Sequence, residues 1–192
     1  MAGDQAQSPM ASTSAATPYR PTIGRIWEAV ASLPDPEIPV VSIGDLGILR
    51  GIAWDPDDPH SLLVSVTPTY SGCPATEAII ASILETLAPL VDRVRVEMRL
   101  VPAWTTDWMT PEAKARLHEF GIVPPGSSRT GDGVASIDIS RLGRTRHVDA
   151  IVACPRCASD ETELVSQFGS TACKAQYRCL ACLEPFDYFK PH

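Results

Sequence analysis

Across residues 22–33 the large apolar side chains are Ile23, Ile26, Trp27 and Val30, at the i, i+3, i+4, i+7 spacing that gathers them on one helical stripe. Pro34, Pro36 and Pro39 follow. Each lacks an amide donor and restricts the residue before it, so the helix must stop and hand over to a rigid loop. Residues 46–54 and 62–67 read as strands joined by an Asp- and Pro-rich turn over 55–60. Over residues 76–90, Ile79, Ile80, Ile83, Leu84 and Leu87 make a broad helical stripe. The period then falls to two: Val94, Val96, Met98 and Leu100 alternate with Arg93, Arg95, Glu97 and Arg99, as in a strand with one face in the core and one in water. Thr110, Pro111 and Gly121 supply the cap, first position and stop of a last helix over 111–120. Helix, two strands, helix, strand, helix predicts a compact α+β domain, a two-layer sandwich, over residues 21–125.

The flanks read differently. Residues 1–20 are rich in Ala, Ser, Thr, Gln and Pro and predict a disordered tail. Residues 126–147 are poor in large apolar side chains and predict a linker, with a short edge strand at 135–139. Residues 148–192 form a separate cysteine-rich module. Composition narrows the function. At 44% apolar residues the chain can bury a core, and its net charge of -7 argues against non-specific nucleic-acid binding. No apolar run is long enough for a membrane helix, and the N-terminus lacks a secretory pattern. The expectation is a cytoplasmic protein without nucleic-acid or membrane partners, whose cysteines stay reduced and available to metals.

Two C-x2-C pairs, Cys154/Cys157 and Cys179/Cys182, stand on either side of residues 158–178. Each turn places two thiolates on one side of a tight loop, and two facing turns supply the tetrahedral S4 set that zinc prefers. A module this small buries too little apolar surface to fold unaided, so metal binding must supply folding free energy. The reading is a structural zinc ribbon, with a rubredoxin-like iron site or a redox dithiol as alternatives. Leu164, Val165, Phe168, Tyr177, Phe186, Tyr188 and Phe189 suit its strands. Cys173 is an extra thiol, readable as a small buried core residue or as an exchange ligand or reactive thiol near the metal. His147 and His192 read as solvated, because four thiolates fill a structural site. Over residues 151–192, Arg156, Lys174, Arg178 and Lys190 are set against Asp160, Glu161, Glu163, Glu184 and Asp187, which leaves no basic face for a nucleic-acid reader.

Cys73 is the single cysteine of the first domain, in Ser71-Gly72-Cys73-Pro74 between a strand and a helix. Pro74 suits the first helical position, which would make Cys73 the N-cap and lower its pKa through the helix dipole. Thr67, Thr69 and Ser71 offer hydroxyls nearby. A buried cap with ordinary thiol behaviour is the equal alternative. Asp35 and Glu37 on the proline-braced loop, and Asp45 beyond it, read as solvated carboxylates or caps. No Ser/His/Asp set, phosphate loop or HExxH motif is present.

Asp35-Pro36-Glu37-Ile38-Pro39, Gly44-Asp45-Leu46-Gly47 and Thr67-x-Thr69-x3-Cys73-Pro74 resemble the SufT-like family of iron–sulfur assembly factors. Trp104-Thr105-Thr106-Asp107-Trp108-Met109, the segment around Cys173 and the C-terminal ribbon resemble the branch that accompanies bacterial phenylacetyl-coenzyme A epoxidase. The resemblance implies a SufT-like sandwich and a maturation role for the iron–sulfur or di-iron centre of that oxygenase. It implies Cys73 as the functional, cluster-binding thiol, and Asp35, Glu37, Thr67 and Thr69 as supporting residues. The epoxidase reductase or oxygenase components are the implied partners.

Three functions compete. A non-catalytic assembly factor would hold a transient iron–sulfur cluster or iron on Cys73. One thiolate does not hold a cluster alone, so that cargo would be shared across a homodimer or with a client. A docking subunit of the oxygenase would present the ribbon and residues 104–109 as contact surfaces. A cysteine-nucleophile enzyme would need a thiol pKa well below the free value of about 8.5, since no His base is legible.

Overall fold

The computed structural model describes residues 21–126 and 152–191. The predicted tail, the edge strand at 135–139, nearly all of the linker, His147 and His192 lie outside the described residues.

Helix α1 (Ile23–Ala31) starts where the Thr22 hydroxyl accepts the Arg25 amide N–H, and it buries Ile26 and Val30 completely. Strands β1 (Leu49–Trp54) and β2 (Ser61–Val66) form an antiparallel pair. Helix α2 (Thr76–Leu87) then carries the chain across to β3 (Arg93–Met98), which lies parallel to β2, as a parallel neighbour requires. In this three-stranded sheet β2 is central. Ile79, Ile83 and Leu87 of α2 share one core with Leu62 and Val64 of β2 and with Ile26 and Val30 of α1. Helix α3 (Pro111–Phe120) has the predicted Thr110 cap and ends on Gly121 at φ 94°, the left-handed conformation glycine adopts without a Cβ penalty.

Boundaries differ from the sequence pattern for local reasons. Strand β1 begins at Leu49 rather than at residue 46, because Gly47 turns the chain at φ 69°. A Cβ on Gly47 would stand 2.6 Å from the Trp108 Cβ. Helix α2 stops at Leu87, just ahead of Pro89, which has no amide to extend the ladder. Val94 and Val96 pack on the core, but Met98 and Leu100 are 45% and 50% exposed. Strand β2 ends at Val66, the partner of Met98, so Leu100 lies past the last pair of the two strands.

The second sheet has the order β4-β7-β6-β5. Its strands are β4 (Ile122–Val123), β5 (Thr162–Ser166), β6 (Lys174–Cys179) and β7 (Pro185–Phe189). Strand β4, immediately after α3, pairs parallel with β7. The C-terminal sheet is therefore hydrogen-bonded to the segment that closes the first domain. Val152, Cys154, Ala175, Tyr177, Cys179 and Phe186 form its own small core. Phe189 and Cys173, by contrast, are buried in the main core of the first domain. Leu164 and Val165 lie in β5 as their residue types suggest, Phe168 falls just past it, and the three are 39%, 55% and 60% exposed.

Residues 104–109 are partly buried, with Asp107 exposed and Thr105 and Trp108 half-buried. Trp104, Thr106 and Met109 are buried, and the Trp104 ring lies 5.9 Å from that of Phe189. Its indole N–H donates to the Leu46 carbonyl at 2.8 Å. The segment is the seam between the two sheets.

Candidate functional site

Two cysteine sites emerge from different levels of structure. The first is local. The Cys154 turn closes through the Ala158 amide on the Cys154 carbonyl at 2.9 Å, with Ala158 at φ 57°. The Cys179 turn closes through the Cys182 amide N–H, which donates to the Cys179 sulfur at 3.4 Å, with Leu183 at φ 64°. These turns face each other, and their four sulfurs lie within 4.8 Å of one another. Cys154 and Cys182 are 3.7 Å apart, Cys157 and Cys179 3.6 Å. A tetrahedral ion with metal–sulfur bonds of about 2.3 Å needs sulfur–sulfur edges of about 3.8 Å, so the donor set fits such an ion. The thiols also differ in acidity. Amide N–H groups of Cys182 and Ala181 hold Cys179 down to about 6, against its desolvation. The Glu184 amide opposes the rise of Cys182, yet desolvation and its three neighbouring sulfurs push it up to about 12. Four thiolates at this spacing need a cation between them.

The second site is assembled from distant segments. A small pocket is lined by Asp35, Glu37 and Ile38 of the proline-braced loop, by Leu46, by Thr69, Cys73 and Ala75 ahead of α2, and by Thr171, Cys173 and Phe189 of the C-terminal sheet. Cys73 is not the N-cap of α2. The helix starts at Thr76, Ala75 is the flanking residue, and no side chain caps it. The turn over residues 70–76 has its own closures, Cys73 N–H to Tyr70 O at 3.0 Å and Thr76 N–H to Cys73 O at 3.2 Å. Nor is the thiol acidic. Burial pushes its pKa up, outweighing the hydrogen bond from the Ala75 amide, and nearby Cys173 and Asp35 push the same way. Of the two readings of Cys73, a dipole-activated thiolate and a buried thiol, the raised pKa favours the buried thiol.

Asp35 is not a solvated carboxylate. It is 6% exposed, and its Oδ1 accepts the amide N–H groups of Glu37 and Ile38, each at 2.9 Å. Burial raises its pKa against those two hydrogen bonds. Glu37 lines the pocket and also an open cleft beside it, with Lys174 and Asp187. Thr69 lines the pocket; Thr67 is buried but does not, and Ser71 is exposed. Asp45 sits outside and serves structure: its Oδ2 accepts from the Ser42 amide and hydroxyl and pairs with Arg116. Desolvation works against it, but the bonds from Ser42 and Arg116 hold its carboxyl below the usual range.

Cys173 stands apart from the four-sulfur set. It is 8% exposed and buried in the main core, with the Thr171 hydroxyl 3.1 Å from its sulfur. Thr171, Phe189, Ile38 and Leu46 carried no signal as pocket residues in the sequence. The one available signal was Cys173 itself, an unpaired cysteine inside a ribbon already supplied with four.

The family model described as the PaaD zinc beta ribbon domain matches residues 140–190, and that described as iron–sulfur cluster assembly protein matches residues 24–98. A protein of Escherichia coli strain K12, named as a putative subunit of 1,2-phenylacetyl-CoA epoxidase, is 47% identical over 176 residues, 91% of this chain and 96% of that one. An Fe-S protein maturation auxiliary factor of Porphyromonas gingivalis is 32% identical over 85 residues, 43% of this chain and 78% of that one. The crystal structure of a DUF59 domain from Bacillus anthracis aligns at a TM-score of 0.44 with 25% identity, covering 49% of this chain and 89% of that one. With likeness to the Escherichia coli protein across nearly the full length of both chains, and with both family models placed on it in order, this chain belongs to the PaaD family of phenylacetyl-CoA epoxidase proteins.

Proposed function

We propose that this chain is a non-catalytic cytoplasmic accessory factor that matures the multicomponent phenylacetyl-CoA epoxidase, supplying or repairing its iron–sulfur or di-iron centre. The observation that carries the reading is Cys73, half-buried beside the buried carboxylate of Asp35 in a pocket of the assembly domain. Iron, alone or as a cluster, is the cargo. Cys73 receives it at sulfur, and the thiol gives up its proton as the cation arrives. A desolvated thiol that rests protonated suits a carrier, because it holds little charge when empty and releases cargo to better ligands. Glu37 and Thr69 shape the pocket mouth and wall, and Thr67 supports the strand end beneath it. Zinc in the four-cysteine ribbon is structural: four thiolates close the tetrahedron and leave no open position for chemistry.

A cysteine-nucleophile enzyme is disfavoured, since the Cys73 pKa is raised and neither His60 nor His118 lines the pocket. The Escherichia coli relative is named as a subunit, which favours a second reading, a resident component of the oxygenase. Stable stoichiometric co-purification would support that reading, and transient association supports maturation. The main test is the oxygenase produced with and without this chain, with iron and activity assayed in both preparations. We expect iron and activity to fall together without it, and both to return on reconstitution with iron and sulfide. Full iron and full activity in its absence would overturn the maturation role.

A further inference from the structure

A cluster carrier with one thiol faces a ligand shortage, since clusters usually take four protein ligands. The second thiol is already in the fold. Cys173 and Cys73 line the same pocket although they come from different domains, and each lies within electrostatic reach of the other. Cys173 takes no part in the ribbon's four-sulfur set. Its backbone is fixed from both sides, by the Lys190 amide on its carbonyl at 2.9 Å and by the Lys174 amide on the Thr171 carbonyl at 3.2 Å. Asp35 is buried and lines the same pocket, with its Oδ1 capping the amides of Glu37 and Ile38.

We propose that Cys73 and Cys173 are the two thiol ligands of one composite iron–sulfur cluster site that exists only when the C-terminal sheet is seated on the first domain. This rests on the carrier reading of Cys73 above and names its missing partner. The two thiols share one pocket outside the ribbon's four-sulfur set. A cluster suits two such thiols, because each can bind a different iron while the client completes the ligand set. Loading breaks two S–H bonds and two bonds from iron to the ligands that delivered the cluster, and forms two Fe–S bonds to Cys73 and Cys173. The two protons and the displaced ligands leave for solvent, and no electron is transferred. The client supplies the remaining ligands and takes the cluster when its own thiolates replace these two.

Seating of the second sheet then controls loading. Phe189 packs beside Trp104 and also lines the pocket, so the contact that docks the ribbon also positions Cys173. The zinc ribbon becomes the arm that delivers one ligand.

The test uses the full chain with its ribbon zinc retained. Wild type, Cys73→Ser and Cys173→Ser are reconstituted anaerobically with ferric iron and sulfide, desalted, and assayed for iron, sulfide, zinc and visible absorption. A parallel arm receives ferric iron alone. We expect a sulfide-dependent cluster on the wild type and at least a ten-fold loss in each variant, with zinc unchanged. Wild-type uptake by Cys173→Ser with loss in Cys73→Ser overturns the composite site and leaves the carrier reading intact. Wild-type uptake by both variants overturns both. Iron binding that needs no sulfide overturns the cluster assignment. A second measurement needs no cluster: a bifunctional thiol reagent that fluoresces only after joining two sulfurs should label the zinc-loaded apo chain across Cys73 and Cys173. A peptide map without that cross-link overturns the pairing.

Discussion

The four-cysteine ribbon site and the Cys73 pocket use the same side chain for opposite ends. In the ribbon, two short turns each set a pair of sulfurs, and the two pairs meet 3.6–3.7 Å apart across the site. Its donors satisfy one another around an ion. In the pocket, Cys73, Cys173 and Asp35 are separated along the chain and brought together by docking of the two sheets. Desolvation there raises the thiol and the carboxyl above their ordinary pKa values, which disfavours charge in the empty state. On the proposed reading the ribbon's four donors complete one metal site, and the pocket is a transfer site left short of ligands.

The strongest way to break the contrast is to remove the ribbon metal. Cys179→Ser, or a chelator, should unfold residues 152–191, because metal binding of about 10–16 kcal/mol is the folding free energy of such modules. Since Phe189 and Cys173 belong to the main core, the first domain should lose stability too, and Cys73 should alkylate faster. Circular dichroism and mass-mapped alkylation read both. Unchanged Cys73 reactivity would mean that the two sites are independent.

Phe189→Ala comes next, at a cost of about 3–5 kcal/mol. It should shift Trp104 fluorescence towards that of a solvated indole while the ribbon keeps its metal, separating docking from ribbon folding.

Asp35 gives a smaller and more pointed effect. Asp35→Ala strands two amides, one of them buried, and should cost about 1–3 kcal/mol. Asp35→Asn keeps an acceptor for both N–H groups and removes a buried charge, so at neutral pH it should be near neutral or stabilising. The sign follows from linkage. With the folded pKa raised above 3.8, the stability linked to Asp35 is full at low pH and falls as pH rises through the folded value. Urea midpoints against pH should show that fall in wild type and not in Asp35→Asn.

The smallest effect is kinetic. Because burial raises the Cys73 pKa, its alkylation rate should reach half-maximum above the free-thiol value of about 8.5. A midpoint below it would restore the activated-thiolate reading.

Much of this was written in local pattern. The stripe Ile23, Ile26, Val30 gave α1, the alternation after Arg93 gave β3, and Thr110 with Gly121 bounded α3 to the residue. Each depends on neighbours a few positions away, and spacing reports such neighbours. The boundary misses arose where a backbone or a partner strand intervened: Gly47 against Trp108, and the end of β2 at Val66, which leaves Leu100 beyond the last strand pair.

By itself the sequence determined the α+β order, the two C-x2-C knuckles and the singular position of Cys73. Those are set by periodicity, by the fixed geometry of short turns, and by a proline loop that only a few conformations satisfy. Only the tertiary structure decided that Asp35 is buried, that Cys73 is a raised thiol three residues before its helix, and that Cys173 shares a pocket with it. Burial and electrostatic field are sums over everything packed around a group. For these residues the deciding neighbours arrive from Leu46, Thr69, Thr171 and Phe189, whose proximity no spacing along the chain encodes.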